Sequence, residues 1–251
     1  MDLPSFFQQH PRGLLALSGG ADSALLAWAA GRWGSGWQAC FVRSAFQPAR
    51  EAADARALAE LCGLPLTVLE ADVLSDPQVA ANPPRRCYFC KRALFRAMLD
   101  HAAAQGLPVV ADGTNASDDS GDRPGMAALA ELGVRSPLRE CGLTKADVRR
   151  LSREAGLPTW NKPAYACLAT RVPAGTALTA GLLEAAERGE SALEALGFRD
   201  FRLRLRAGGA LLQVTEAQLS LALERRAEIT AALSPLFAEV GLDLRARTPS
   251  E

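Results

Sequence analysis

The sequence carries no net charge: 28 lysines and arginines balance 28 aspartates and glutamates over 251 residues. No global field therefore draws the chain to nucleic acid or to an anionic membrane, and a small polyanion in a local pocket fits the composition better. No apolar run approaches roughly 18 residues. The start, MDLPSFFQQHPRG, lacks a basic segment ahead of a long apolar one, so a cytoplasmic chain is expected. Histidine is nearly missing, and His10 and His101 lie away from the CxxC pair Cys87–Cys90, which leaves that pair without the partners of a four-ligand zinc site. The six cysteines do not read as a disulfide framework, because a reducing compartment keeps thiols free. Internal repeats are lacking too, and alanine richness is the only compositional bias.

What is present is an alternation. GLLAL, WQACFV, LPLTVLEA and LPVVADGTN read as strands, separated by the helical windows ADSALLAWAAGRW, PAREAADARALAELCG and a helix from Lys91 to Gln105. This predicts βαβ units and a doubly wound parallel sheet, an α/β domain with ligands collecting at the carboxyl ends of the strands. The loops at Ser18 and Gly113 both fall at such ends and are expected to share one cleft. The polar stretch from Asn115 to Gly125 reads as an exposed loop able to close over a ligand. TKADVRRLSREAG is a helix with Thr144 as N-cap. From about Val172 the texture changes to a helix over Thr179 to Leu196, the strands FRLRLR and ALLQVT, a helix over Glu216 to Leu233 and a terminal VGLDLRAR. The expected division is a main domain over 1–172 and a small C-terminal α+β domain over 173–251.

Within LLALSGGADSALLAW, the residues Ser18, Gly19, Gly20, Asp22 and Ser23 occupy a strand-to-helix joint. Glycines there let backbone N–H groups face an anion, and the helix N-terminus adds positive potential. A Walker loop would carry a lysine on the outer phosphates, and this loop has none. Asp22 makes sense through Mg²⁺ or as a carboxylate at a helix N-terminus. Strand, SGGADS and helix in that order resemble the loop of the ATP-pyrophosphatases, which adenylate a substrate and release pyrophosphate.

Among the thiols, Cys40, Cys62 and Cys141 read as small buried hydrophobes. Cys87 and Cys90 in NPPRRCYFCK suit a redox pair, half a zinc site or part of an iron–sulfur ligand set. Cys167, in PAYACLATR, has Arg171 four residues on, and a nearby cation favours a thiolate.

The runs NPPRRCYFCK, DGTNASDDSGDRPG, LGVRSPLRECGLTKADVRRLSREAGLPTWNKPAYACLATR and GFRDFRLRLR, in that order behind SGGADS, resemble the LarE-type pyridinium bisthiocarboxylate mononucleotide synthases. The likeness covers nearly all of residues 13–206. It implies an adenine nucleotide alpha hydrolase-like fold and an ATP- and Mg²⁺-dependent sulfur transferase that adenylates a pyridinium dicarboxylate mononucleotide and turns its carboxylates into thiocarboxylates, for a nickel-pincer cofactor. By resemblance, Ser18, Gly19, Gly20, Asp22, Ser23 and Asn115 hold the nucleotide, with Asp22 toward Mg²⁺. Asp118, Arg123, Arg171, Glu190, Arg202 and Arg204 lie around the substrate. Members with three cysteines imply a 4Fe–4S cluster on Cys87, Cys90 and Cys167 that presents an extra sulfide. Single-cysteine members instead sacrifice the thiol matching Cys167. The family differs from this chain in a longer DDxGDYRPG loop, in a histidine-bearing segment where RAGGALLQV stands, and in a YRxGS-type tail where LDLRARTPSE stands.

Three rivals remain: a tRNA thiolase, which would need a basic surface; an amidotransferase-type synthetase, which would need a glutaminase domain; and a nucleotide-binding regulator, which has no evident use for three thiols. The expected partner is a small mononucleotide, with no nucleic acid or membrane, in a homo-oligomer.

Overall fold

The strand-and-helix alternation of the first half folds as the period-two and helical patterns predict. The computed structural model describes residues 1–118 and 124–248, and the chain divides into two units, one of Met1–Val79 with Arg85–Lys162, the other of Ala80–Pro84 with the residues from Pro163 onward.

The first unit opens with α1 (Leu3–Gln9), β1 (Arg12–Ala16), α2 (Ala21–Trp33), β2 (Gly36–Arg43), α3 (Ala49–Leu61) and β3 (Leu66–Glu70). The short α4 (Pro77–Ala80) leads toward α5 (Arg86–Ala104), β4 (Val110–Ala111), α6 (Pro124–Glu131), α7 (Pro137–Glu140) and α8 (Lys145–Glu154). Its sheet is wholly parallel in the order β3-β2-β1-β4. Alternation along β1 and β2 sends successive side chains to opposite faces. Leu15, Trp37, Ala39 and Phe41 pack with α1, α2 and α8, whereas Leu14 and Cys40 pack with Phe95, Met98 and Ala102 of α5 and Leu129 of α6. Both faces are therefore covered, and the strands read as nearly continuous apolar runs. Thr144 caps α8 as expected, in a reciprocal box with Asp147. The helix expected over 91–105 begins earlier, at Arg86, so both CxxC cysteines lie inside its first turns.

The second unit holds a 3₁₀ turn (Leu168–Arg171), α9 (Ala180–Ala195), β5 (Arg202–Arg206), β6 (Gly209–Gln213), a 3₁₀ turn (Glu216–Gln218), α10 (Leu219–Glu224), α11 (Arg226–Leu233) and β7 (Glu239–Leu242). β5 and β6 are antiparallel, and β7 joins β6 in parallel. The single helix expected over 216–233 is three pieces, with Arg225 at φ −93° and ψ 17° ending α10 and starting α11. Neither glycine nor proline marks that break in the sequence. Buried Asn82, at φ 54°, ties Ala80–Pro84 into this unit through Nδ2 bonds to the carbonyls of Pro173 and Thr176. Among the described residues no helix is long and apolar enough to cross a membrane.

Gly31, inside α2, faces the end of α3 so closely that an added Cβ would lie 2.1 Å from the Cys62 carbonyl oxygen. In an open helix Gly→Ala gains about 1 kcal/mol, but overpacking against backbone costs about 1–3 kcal/mol. The clash should win, so Gly31→Ala is expected to lower the urea midpoint with an unchanged denaturant slope.

Candidate functional site

The strand order turns at β1: β2 and β3 lie to one side of it and β4 to the other. That makes the carboxyl ends of β1 and β4 the switch point of the sheet, where a crevice opens between diverging connections. The Ser18 and Gly113 loops meet there, as expected. An added Cβ on Gly113 would stand 2.9 Å from the Ser23 nitrogen, so only glycine allows the β4 loop to approach the start of α2 this closely.

Gly19 takes φ +77°, a conformation that favours glycine, and Gly20 is the N-cap of α2 without a capping side chain. The first turn of α2 thus presents backbone donors that no side chain covers. Ser23 turns inward: its Oγ accepts the Ser18 N–H at 3.2 Å, lies 3.1 Å from the Ser18 Oγ and donates to the Gly20 carbonyl. The two hydroxyls brace the loop on itself.

Asp22, in the first turn, binds the loop from β4. Asn115 Nδ2 donates to its Oδ1 at 3.0 Å and Lys145 Nζ lies 2.5 Å from its Oδ2. Asn115 is itself fixed, its N–H on the Asp118 carboxylate and its Oδ1 accepting from Ser117. Beneath them buried Asp112 accepts from the Thr114 and Ser136 hydroxyls. A second lysine, Lys162, reaches the other side of the loop, 2.9 Å from the Gly19 carbonyl oxygen and 2.7 Å from Asp54 Oδ2. The loop that lacks a lysine in sequence is therefore served by two in space. Neither was legible beforehand, since each lies more than 100 residues from its partner; the only signals were the TK at the α8 cap and the WNKP run.

Next to this crevice a cavity of about 270 Å³ is lined by Cys87, Lys91, Thr114, Asp118, Pro124, Gly125 and Met126. Cys87 is exposed and Cys90, one turn further along α5, is buried. Arg123 lies outside the described residues.

Cys167, Arg171, Glu190, Arg202 and Arg204 belong to the second unit. Arg171 is 1% exposed and grips Glu190 through Nε at 2.6 Å and Nη2 at 3.1 Å. Glu190 also accepts from the Tyr165 hydroxyl and the Leu203 N–H. Burial opposes the Arg171 charge, but the hydrogen bonds and charge of Glu190, with Tyr165 and Cys167, outweigh it and raise the guanidinium above its ordinary value. Its Nη1 holds the Ala166 carbonyl, fixing the backbone beside Cys167. Arg171 and Glu190 thus satisfy each other. Arg202 and Arg204 differ: burial first, then neighbouring arginines, depresses both. Arg204 already donates through Nε to Gln213 Oε1 and through Nη1 to the Thr170 carbonyl; alternating on β5 and crowded by like charge, the pair is still an arrangement that an oxyanion would relieve.

A three-thiolate cluster needs its ligands to converge, and among the described residues no group of three or more His, Cys, Asp or Glu side chains is arranged to hold a metal ion. The expected 4Fe–4S ligand set of Cys87, Cys90 and Cys167 finds no support there. The CxxC spacing on α5 supplies two thiols, and Cys167 belongs to a different unit of the fold. A single carboxylate, Asp22, does fit Mg²⁺ that arrives on a polyphosphate, because that ion keeps most of its ligands as phosphate and water oxygens.

The first unit is an α/β domain of the doubly wound class. No family model matches the chain. It is 36% identical over 221 residues to an uncharacterized protein of Synechocystis sp., across 87% of this chain and 82% of that protein. It is also 34% identical over 238 residues to the pyridinium-3,5-bisthiocarboxylic acid mononucleotide synthase of Lactiplantibacillus plantarum, across 93% of this chain and 86% of that enzyme. The chain belongs to the LarE family of these synthases.

Two outcomes follow from the geometry. Glu190→Gln strips a buried guanidinium of its counter-charge and is expected to cost about 3–5 kcal/mol in denaturant unfolding. Burial pushes the Cys40 thiol up to about 12 and the Cys62 thiol up to about 11. Both stay protonated at pH 8, so brief alkylation of the native protein should label exposed Cys87 and spare these two, with all three labelled in urea.

Proposed function

We infer that the chain is an ATP-dependent sulfur transferase that adenylates carboxylates of a pyridinium dicarboxylate mononucleotide and converts them to thiocarboxylates, for nickel-pincer cofactor assembly. The observation that carries this reading is the glycine turn at the switch point of the sheet, with Asp22 joined to Asn115 and Lys145, in a chain of the synthase family.

A substrate carboxylate oxygen attacks the α-phosphorus of ATP; the bond to the bridging oxygen breaks and pyrophosphate leaves with the electron pair. Charge grows on that leaving group. The donors of the α2 first turn, with Lys145 alongside, are the groups suited to stabilise it. When bound, Mg²⁺ adds Lewis acidity toward the phosphates, and Asp22 would hold it. On the half-buried face of β5, Arg202 and Arg204 are suited to the substrate phosphate.

A sulfur nucleophile then attacks the acyl carbon of the mixed anhydride and AMP leaves. Cys167 is the thiol this reading favours, because Arg171, locked by Glu190, fixes the backbone beside it through the Ala166 carbonyl. The resulting thioester loses the Cys167 α-proton to a base; that electron pair forms the Cα=Cβ double bond as the Cβ–S bond breaks. The products are a thiocarboxylate and dehydroalanine at position 167.

The test is turnover of the purified protein with ATP, Mg²⁺ and the dicarboxylate mononucleotide, followed by intact mass. Substrate-dependent pyrophosphate release and a loss of about 34 Da at Cys167 are expected. Lys145→Ala should cut pyrophosphate release about 100-fold. Thiocarboxylate formed without mass loss, by protein that retains iron and sulfide through Cys87, would overturn the role of Cys167. Absence of pyrophosphate release would overturn the adenylation reading.

A further inference from the structure

Lys162 is the charged residue of the WNKP run, and the chemistry above leaves it without a task. It is part of the first unit, and its two partners there are the Gly19 carbonyl, at 2.9 Å, and Asp54 Oδ2 on α3, at 2.7 Å. Asp54 also crowds the loop directly: a Cβ on Gly19 would stand 3.3 Å from the Asp54 Cβ. The Gly19 carbonyl is thus held from one side by an ammonium that a carboxylate holds in turn.

A trans peptide is planar, with its C=O and N–H pointing in opposite directions. Among the described residues no peptide bond is cis, so fixing the Gly19 oxygen on Lys162 turns the Gly20 N–H away from Lys162. That N–H has no hydrogen-bond partner among the described residues and adjoins the open first turn of α2. Turning this peptide changes ψ of Gly19 and φ of Gly20, and both residues are glycine, which resists neither sign of φ, so without the clamp the peptide has little to hold it.

We propose that Lys162, clamped by Asp54, is a positioning residue for pyrophosphate recognition: it sets the Gly19–Gly20 peptide so that the Gly20 N–H stands ready for a polyphosphate oxygen. The inference rests on the adenylation reading and adds a residue to it. Lys162 acts through the backbone, not as a phosphate ligand.

Equilibrium binding of inorganic pyrophosphate and of AMP, each with Mg²⁺, to the full chain separates these roles. Lys162→Ala is expected to weaken pyrophosphate about tenfold and leave AMP within about twofold, which also reports that the variant is folded. Lys162→Arg, whose guanidinium can bridge a carbonyl and a carboxylate, should restore most of the loss. In a double-mutant cycle, Asp54→Ala should weaken pyrophosphate by itself and add little to Lys162→Ala, the behaviour of one unit. If Asp54→Ala leaves pyrophosphate binding unchanged or tightens it while Lys162→Ala weakens it, Lys162 is a direct phosphate ligand and the proposal is wrong. Equal losses for AMP and pyrophosphate would also overturn it. A wild-type chain that binds neither ligand would show instead that the adenylation reading has failed, and the proposal with it.

Discussion

The structure of the first unit depends on how closely two loops can approach at the end of a parallel sheet. β1 and β4 are neighbours, and the chain leaves each of them through glycine. Gly113 lets the β4 loop reach the backbone of Ser23, and Gly19 lets the β1 loop turn into α2 at positive φ. Any side chain at position 113 would push the loop off the helix start and part Asn115 from Asp22. The packing of two apolar faces, with Leu15 to one side and Leu14 to the other, holds the strands that make this approach possible. The core, in this sense, sets the distance between Asp22 and Asn115.

That geometry was legible in part because its signals are local. A strand, a glycine pair and an apolar helix follow one another within fifteen residues, and the polar DGTN closes a second apolar run. Period and turn chemistry suffice for such features. The pairings were not legible, because they join residues that no local pattern connects. Lys145 meets Asp22 across 123 positions and Lys162 meets Gly19 across 143. Arg171 and Glu190, expected together around a ligand, are indeed adjacent, but the 1% and 2% exposure of their side chains makes them partners of each other. Motif matching identifies such residues without revealing whether a charge is spent internally. The break at Arg225 is hidden for a related reason: the apolar spacing runs on through it, with Ala222 buried before it and Ile229 and Leu233 buried after it.

The cysteines divide along the same line. Burial alone explains Cys40 and Cys62, whose thiols it holds far from ionisation. Cys87 and Cys90 share a helix face one turn apart, as i and i+3 must, yet one is exposed beside a cavity and the other buried. Spacing announces a pair; the fold gives its members different surroundings. Cys167 has a third environment, at the start of a 3₁₀ turn whose last residue is the buried arginine.

The missing lysine in SGGADS acquires a physical sense from the two that replace it. A lysine inside the loop would sit against the outer phosphates with no competing carboxylate. Lys145 and Lys162 are instead balanced one to one by Asp22 and Asp54, at 2.5 and 2.7 Å. A loop neutralised in this way exerts little net Coulomb pull on a distant polyanion, so on the adenylation reading recognition falls to oriented backbone donors, to Lys145 at close range and to the metal that would accompany the nucleotide. Such donors act strongly on charge that develops within their geometry and gain nothing from charge elsewhere. On the adenylation reading, in which pyrophosphate must leave before sulfur can be delivered, a cradle strong in direction and weak in net charge stabilises departure without retaining the product.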